Sequence, residues 1–83
     1  MDLKQLKYFV TVAEEGTISA AAKKLFMSQP PLSTQMKLLE QELGCPLFER
    51  GQKHIRLTDT GKLLYDRAQN ILKMEASMRQ DIE

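Results

Sequence analysis

Cysteine occurs once in this chain, at Cys45, so no disulfide can staple the fold from within. Histidine also occurs once, at His54, and one histidine with one distant cysteine cannot assemble a zinc site. Met27, Met36, Met74 and Met78 read as core or seam residues rather than a functional box. No apolar run approaches the roughly 20 residues that a membrane-spanning helix needs. The opening Met1-Asp2-Leu3-Lys4-Gln5 is amphipathic and lacks the apolar stretch of a signal peptide. Together with the single cysteine, this gives the expectation of a reducing cytoplasm. There is no glycine-rich phosphate loop, no nucleophile beside a base, no paired carboxylate suited to a pocket and no metal-ligand cluster, so an enzyme is not expected, nor a cofactor. Internal repeats, low-complexity stretches and flexible linkers are missing too. With 83 residues the chain allows one small domain with a thin core, for which oligomerisation is a natural support.

Net charge is nearly absent as well, at +1, but its distribution is uneven. Residues 19–57 carry six Lys or Arg against three Glu, while the segments on either side are each at −1. The middle of the chain is therefore the candidate surface for a polyanion.

What is present is a run of helical patterns. Leu3, Leu6, Val10 and Ala13, with Phe9, predict a helix over about 3–15, with Asp2 as N-cap and Gly16 as terminator. A short helix is expected over about 19–25, capped by Thr17 or Ser19 and rich in small residues at Ala20-Ala21-Ala22. Phe26-Met27-Ser28 makes a tight connection to a third helix over about 28–43. In it, Ser28 is the expected N-cap, Gln29-Pro30-Pro31 the first turn, and Leu32, Met36, Leu39 and Leu43 the buried stripe. Leu47–Arg50 and Lys53–Leu57 are expected as two short strands around a charged tip, with His54 facing solvent. Thr58 caps a last helix running from Asp59 to the C-terminal end. Gly61 in its first turn implies that something packs closely there. Its Leu64, Ala68, Ile71, Glu75, Met78 and Ile82 form a heptad seam, widened by Leu72 and Met74. That seam runs further than so small a domain can cover, along a helix of roughly 36 Å. The expectation is a homodimer through Leu64, Ala68, Ile71, Leu72, Met78 and Ile82, with the first helix contributing.

The second and third helices, joined by a turn of three or four residues, have helix-turn-helix spacing. Gln29, Ser33, Thr34 and Lys37 point away from the apolar stripe, in the half of the helix that enters the major groove in this motif. Gln bonds bidentately to adenine, and Ser or Thr to several base edges, while Pro30 and Pro31 offer a rigid surface to a thymine methyl. The free N–H groups of the helix N-terminus suit a phosphate. Arg50 and Lys53 flank the hairpin tip, as in a wing aimed at the minor groove. Ser19 with Lys23 or Lys24, and the Ser28 hydroxyl, are candidates for backbone contacts. Cys45 reads as a small buried hydrophobe, Glu40 and Glu42 as surface or structural carboxylates, and Glu49 as a partner for Arg50 or a solvated side chain.

Ala21-Ala22-Lys23-Lys24-Leu25, Ser28-Gln29-Pro30-Pro31-Leu32-Ser33, Leu39-Glu40, Glu42-Leu43-Gly44, Pro46-Leu47-Phe48-Glu49-Arg50, Leu57-Thr58 and Gly61 together resemble the signature of LysR-type transcriptional regulators. The likeness spans roughly 3–68. It implies a mainly α fold: a winged helix-turn-helix, three helices plus a two-stranded β wing (1–58), followed by a long dimerisation or linker helix (59–83). It further implies sequence-specific binding of double-stranded DNA by a homodimer, at an interrupted palindrome with a T near one end and an A near the other. Base readout would fall on Gln29, Pro30, Pro31, Ser33, Thr34 and Lys37, and minor-groove or backbone contact on Arg50, Gln52 and Lys53. Complete members continue into an effector-binding domain, so a small-molecule inducer is expected only there, and this chain is expected to be the DNA-binding part alone. Many members carry arginine where this chain has Thr34, which cannot contact guanine bidentately. The competing expectation is a winged-helix protein-interaction module that makes no use of the exposed face of the third helix for DNA.

Overall fold

A computed structural model describes residues 1–51 and 53–83 of the chain. Four helices follow in order: α1 (Leu3–Glu15), α2 (Ile18–Lys24), α3 (Gln29–Leu43) and α4 (Asp59–Ile82). α1 begins as its sequence demands, with the Asp2 carboxylate accepting from the Gln5 N–H at 2.7 Å. Thr17, rather than Ser19, caps α2, its hydroxyl accepting from the Ala20 N–H at 3.0 Å. Thr58 caps α4 in the same way through the Gly61 N–H at 3.0 Å.

The core lies where α1 meets the other three helices. Leu6, Phe9, Val10 and Val12 of α1 pack with Ala21, Ala22, Leu32, Met36, Leu39, Leu47 and Ala68. The small residues of α2 let it approach closely, as the alanine run implied. Two expected core positions differ. Leu3 is exposed, and Leu43 is 36% exposed, because each lies at a helix end beyond the reach of a core this thin. In exchange Val12 is fully buried, and Gln5 is buried with its side-chain amide donating to the Gln35 carbonyl at 3.3 Å.

Among the described residues the two expected strands contract to a single antiparallel bridge between Phe48 and Leu57. The Glu49 N–H donates to the Arg56 carbonyl at 2.8 Å and the Thr58 N–H to the Leu47 carbonyl at 3.0 Å, and the segment beyond Glu49 turns away. A two-stranded ribbon with no third strand and a charged tip lacks the cross-strand apolar pairs that would extend it. What holds its base is the core: Leu47 is fully buried and the Phe48 ring lies 5.6 Å from that of Phe9. The Ile55 N–H also donates to the Gly16 carbonyl at 2.7 Å, tying the returning segment to the α1–α2 turn.

Gly61 explains itself. A Cβ there would run into the Leu47 carbonyl oxygen and lie 3.1 Å from the Leu47 carbonyl carbon, so α4 can dock on the wing base only through a glycine.

Candidate nucleic-acid interface

Leu32, Met36 and Leu39 are buried, which fixes the roll of α3 about its axis. At 100° per residue, Pro30, Ser33, Thr34 and Lys37 must then face outward. Gln29, Pro30, Pro31, Thr34 and Lys37 are exposed and Ser33 is half-buried, so all six expected readout residues are accessible in the N-terminal half of α3.

Ser28 corrects the expectation of a cap. It occupies the N-cap position with extended backbone, yet its side chain makes no cap hydrogen bond. A capping oxygen accepts from the second or third helical N–H, and here both positions are proline, Pro30 and Pro31, which have none. The hydroxyl is left free and exposed. The same prolines remove two of the four donors that a helix N-terminus normally offers to a phosphate, so the anion-binding role expected of that terminus shrinks to its remaining N–H groups.

On α2, Ser19, Lys23 and Lys24 are exposed. Lys24 Nζ lies 3.4 Å from the Glu15 carboxylate, whereas Lys23 has no ion pair among the described residues. Lys37 of α3 and Arg50 of the wing line one open cleft that also includes Cys45 and Pro46. Cys45 is therefore half-exposed rather than a buried hydrophobe. Arg50, Lys53 and His54 are exposed, and Gln52 lies outside the described residues. Glu49 pairs with Arg56 at 3.7 Å, not with Arg50.

Glu40 sits on α3 and accepts two backbone N–H groups with one carboxylate oxygen, Leu47 at 2.7 Å and Phe48 at 3.3 Å. This clamp fixes the wing base relative to α3.

Behind this face, α4 divides into two stripes that the sequence merged into one. Leu64, Ala68 and Leu72, expected at a dimer seam, pack on the chain's own core, and Ala68 is 0% exposed. Ile71, Met78 and Ile82 do remain exposed, joined by Leu63 and by Met74 at 75%. Glu75, the polar interruption in the heptad pattern, receives Arg79 Nε at 2.6 Å. On the inner side the Tyr65 hydroxyl donates to Glu14 at 2.9 Å, linking α4 to α1. That bond, aided by desolvation and by the carboxylate charge, holds the Tyr65 phenol above its ordinary pKa of 10.0.

Against known proteins, the model of the family described as "Bacterial regulatory helix-turn-helix protein, lysR family" matches residues 3–62. The HTH-type transcriptional regulator BsdA of Bacillus subtilis (strain 168) is 53% identical over 73 residues, 87% of this chain and 25% of that protein. The crystal structure of the BenM DBD with catB site 1 DNA matches with a TM-score of 0.96 at 41% identity, over 99% of this chain and 91% of that one. The CbnR DBD–DNA complex matches with a TM-score of 0.91 at 43% identity, over 98% and 93%. The chain spans about a quarter of the length of the curated relatives it matches.

Proposed function

The chain belongs to the lysR family of bacterial regulatory helix-turn-helix proteins and carries that family's DNA-binding domain, and on that premise we propose that it reads duplex DNA in the bacterial cytoplasm as a homodimer. The observation that carries the reading is the roll of α3. Three buried side chains turn Pro30, Ser33, Thr34 and Lys37 outward together, and Gln29 and Pro31 lie exposed beside them in the first turn. α3 lies in the major groove, with Gln29 on an adenine and Ser33 and Thr34 on adjacent base edges. Ser19, Ser28 and Lys23 hold phosphates, and Arg50 and Lys53, with Gln52 by resemblance, approach the minor groove or its backbone.

Residues 1–58 form the reading head and 59–83 the arm that joins two heads. Because Leu64, Ala68 and Leu72 are engaged internally, the contact between copies is assigned to the outer stripe of Leu63, Ile71, Met74, Met78 and Ile82. An apolar stripe of this length on one helix is what a second copy of the same helix would cover. Relatives that match are named as transcriptional regulators, and this favours DNA readout over a module that binds only protein.

The test is selection from a pool of random duplexes at rising salt. An interrupted palindrome surviving high salt is expected, and Gln29→Ala should relax preference at one step at a cost of about 1–3 kcal/mol. Binding that is sequence-blind and vanishes with salt would mean that only the electrostatic term is present and that the assigned readout is wrong.

A further inference from the structure

The turn between α2 and α3 closes by backbone geometry alone. The Phe26 N–H donates to the Lys23 carbonyl at 3.2 Å and the Met27 N–H to the Ala22 carbonyl at 2.9 Å. This paired pattern ends a helix with its next residue in the left-handed region, a position that glycine usually fills. Here that residue is Phe26, at φ 55°, the one non-glycine residue with positive φ among those described. A side chain with a Cβ is strained at such an angle, and an aromatic one gains nothing locally to offset it. Nor does the core use the ring, which is 98% exposed, more than any other large hydrophobic side chain described. Backbone geometry asks for glycine at this point, and packing asks for nothing, yet the chain carries a phenylalanine.

The surroundings point to what covers it. Lys23 and Lys24 immediately before the turn, and Ser28 and Gln29 immediately after, are exposed. The turn is continuous with the N-terminal end of α3. In a helix-turn-helix the first helix crosses the DNA backbone while the start of the second enters the groove, so the turn between them sits at the groove mouth beside one strand. The apolar matter available there is the deoxyribose and the 5-methyl of thymine, and phenylalanine is among the side chains that contact that methyl.

Building on the DNA-binding reading above, we propose that Phe26 is a DNA-contacting residue, its ring packed on the apolar surface of one strand at the edge of the half-site. Phe26 thereby adds an aromatic contact to a surface whose other exposed residues are cations, hydrogen-bonders and the two prolines.

The experiment compares the wild-type chain with Phe26→Gly, Phe26→Asn and Phe26→Tyr. The probe is the duplex that the wild type enriches from a random pool, made once with thymine and once with deoxyuridine in place of each thymine outside the central spacer. Phe26→Gly and Phe26→Asn, which suit the left-handed turn, should melt no lower than wild type yet bind about five- to tenfold more weakly, the scale of one or two buried methyl-sized groups. Phe26→Tyr should retain affinity. The slope of log affinity against log salt should not change, because no phosphate contact is lost. If deoxyuridine weakens the wild type more than it weakens Phe26→Gly, the ring sits on a thymine methyl. An equal loss on both duplexes places it on deoxyribose. Undiminished affinity in Phe26→Gly overturns the proposal and leaves the ring for a protein surface. A flattened salt slope also overturns it, since Phe26 would then act only by placing the lysines of α2. A wild-type chain that enriches no duplex fails earlier and separately, at the DNA-binding reading itself.

Discussion

Replacing Gly61 by alanine sets two effects of opposite sign against each other. In an exposed helix interior the change would stabilise by up to about 1 kcal/mol, because glycine gives up more backbone freedom than alanine on folding. At Gly61 the added methyl meets the Leu47 carbonyl oxygen, with the Leu47 carbonyl carbon at 3.1 Å and the Leu57 Cβ at 3.2 Å. The obstacle is backbone, so no rotamer change relieves it. That same carbonyl accepts the Thr58 N–H at 3.0 Å, so moving it loosens the junction of wing and α4. Overpacking of this kind costs about 1–3 kcal/mol, with a rigid backbone neighbour placing it toward the upper end. The steric term should win, leaving Gly61→Ala about 1–2 kcal/mol less stable than wild type. For a domain of this size that corresponds to a melting point lower by roughly 4–16 °C. Thermal unfolding followed by circular dichroism at 222 nm reads it directly. A melting point equal to or above wild type would refute the close-packing account and return Gly61 to an ordinary helix position.

Ser28→Ala should leave stability within about 0.5 kcal/mol of wild type, unlike an ordinary N-cap loss of about 1 kcal/mol, while weakening DNA binding; a normal capping penalty in chemical denaturation would contradict the account of Pro30 and Pro31. Glu40→Ala leaves two backbone N–H groups without acceptors and should cost about 1–3 kcal/mol, with faster amide exchange at Leu47 and Phe48 as its local signature. Met74→Glu and Ile71→Glu should raise the dimer dissociation constant by at least about tenfold in sedimentation equilibrium. Ala68→Glu should instead unfold the chain, so a folded, monomeric Ala68→Glu would reverse the assignment of the two stripes. The Tyr65–Glu14 bond favours the protonated phenol. Its contribution is present below the unfolded value of 10.0 and is lost as pH rises from there through the raised folded value. The stability advantage of wild type over Tyr65→Phe should therefore be constant from neutral pH to about 9 and shrink above 10.

Much of this was legible in the amino acids. The limits of α1 and the break at Gly44 follow from the Asp2 cap and the terminating glycines, and the outward face of α3 follows from apolar spacing, because three buried positions on a helix leave its roll no freedom. The close approach at Gly61 was readable because a glycine in a first helical turn has few other reasons to be there. The α4 seam was not resolved correctly. A heptad template accepts Ala68 and Ile71 alike, although they lie about 60° apart around the helix, and only packing shows that one faces inward and the other out. The wing was overextended because alternation at Ile55-Arg56-Leu57 signals a strand without saying whether partner residues exist to prolong it. Phe26 gave no signal. A phenylalanine in a short connection looks like core, and neither its left-handed backbone nor its exposure can be inferred from spacing.

The clamp at Glu40 has a mechanical meaning. With two N–H groups of the wing base held by one carboxylate on α3, the proposed groove-reading helix and the base of the wing resist independent changes of separation. They behave as calipers set to one opening. On the proposed reading, a duplex that presents its major groove and flanking minor groove at a different spacing is met either by loosening this clamp or by bending and twisting the DNA, and the two costs are of similar size. The free energy of that deformation depends on the stacking of base pairs that no side chain touches. A rigid clamp inside the protein thus becomes a preference for pliant steps in the spacer of the site.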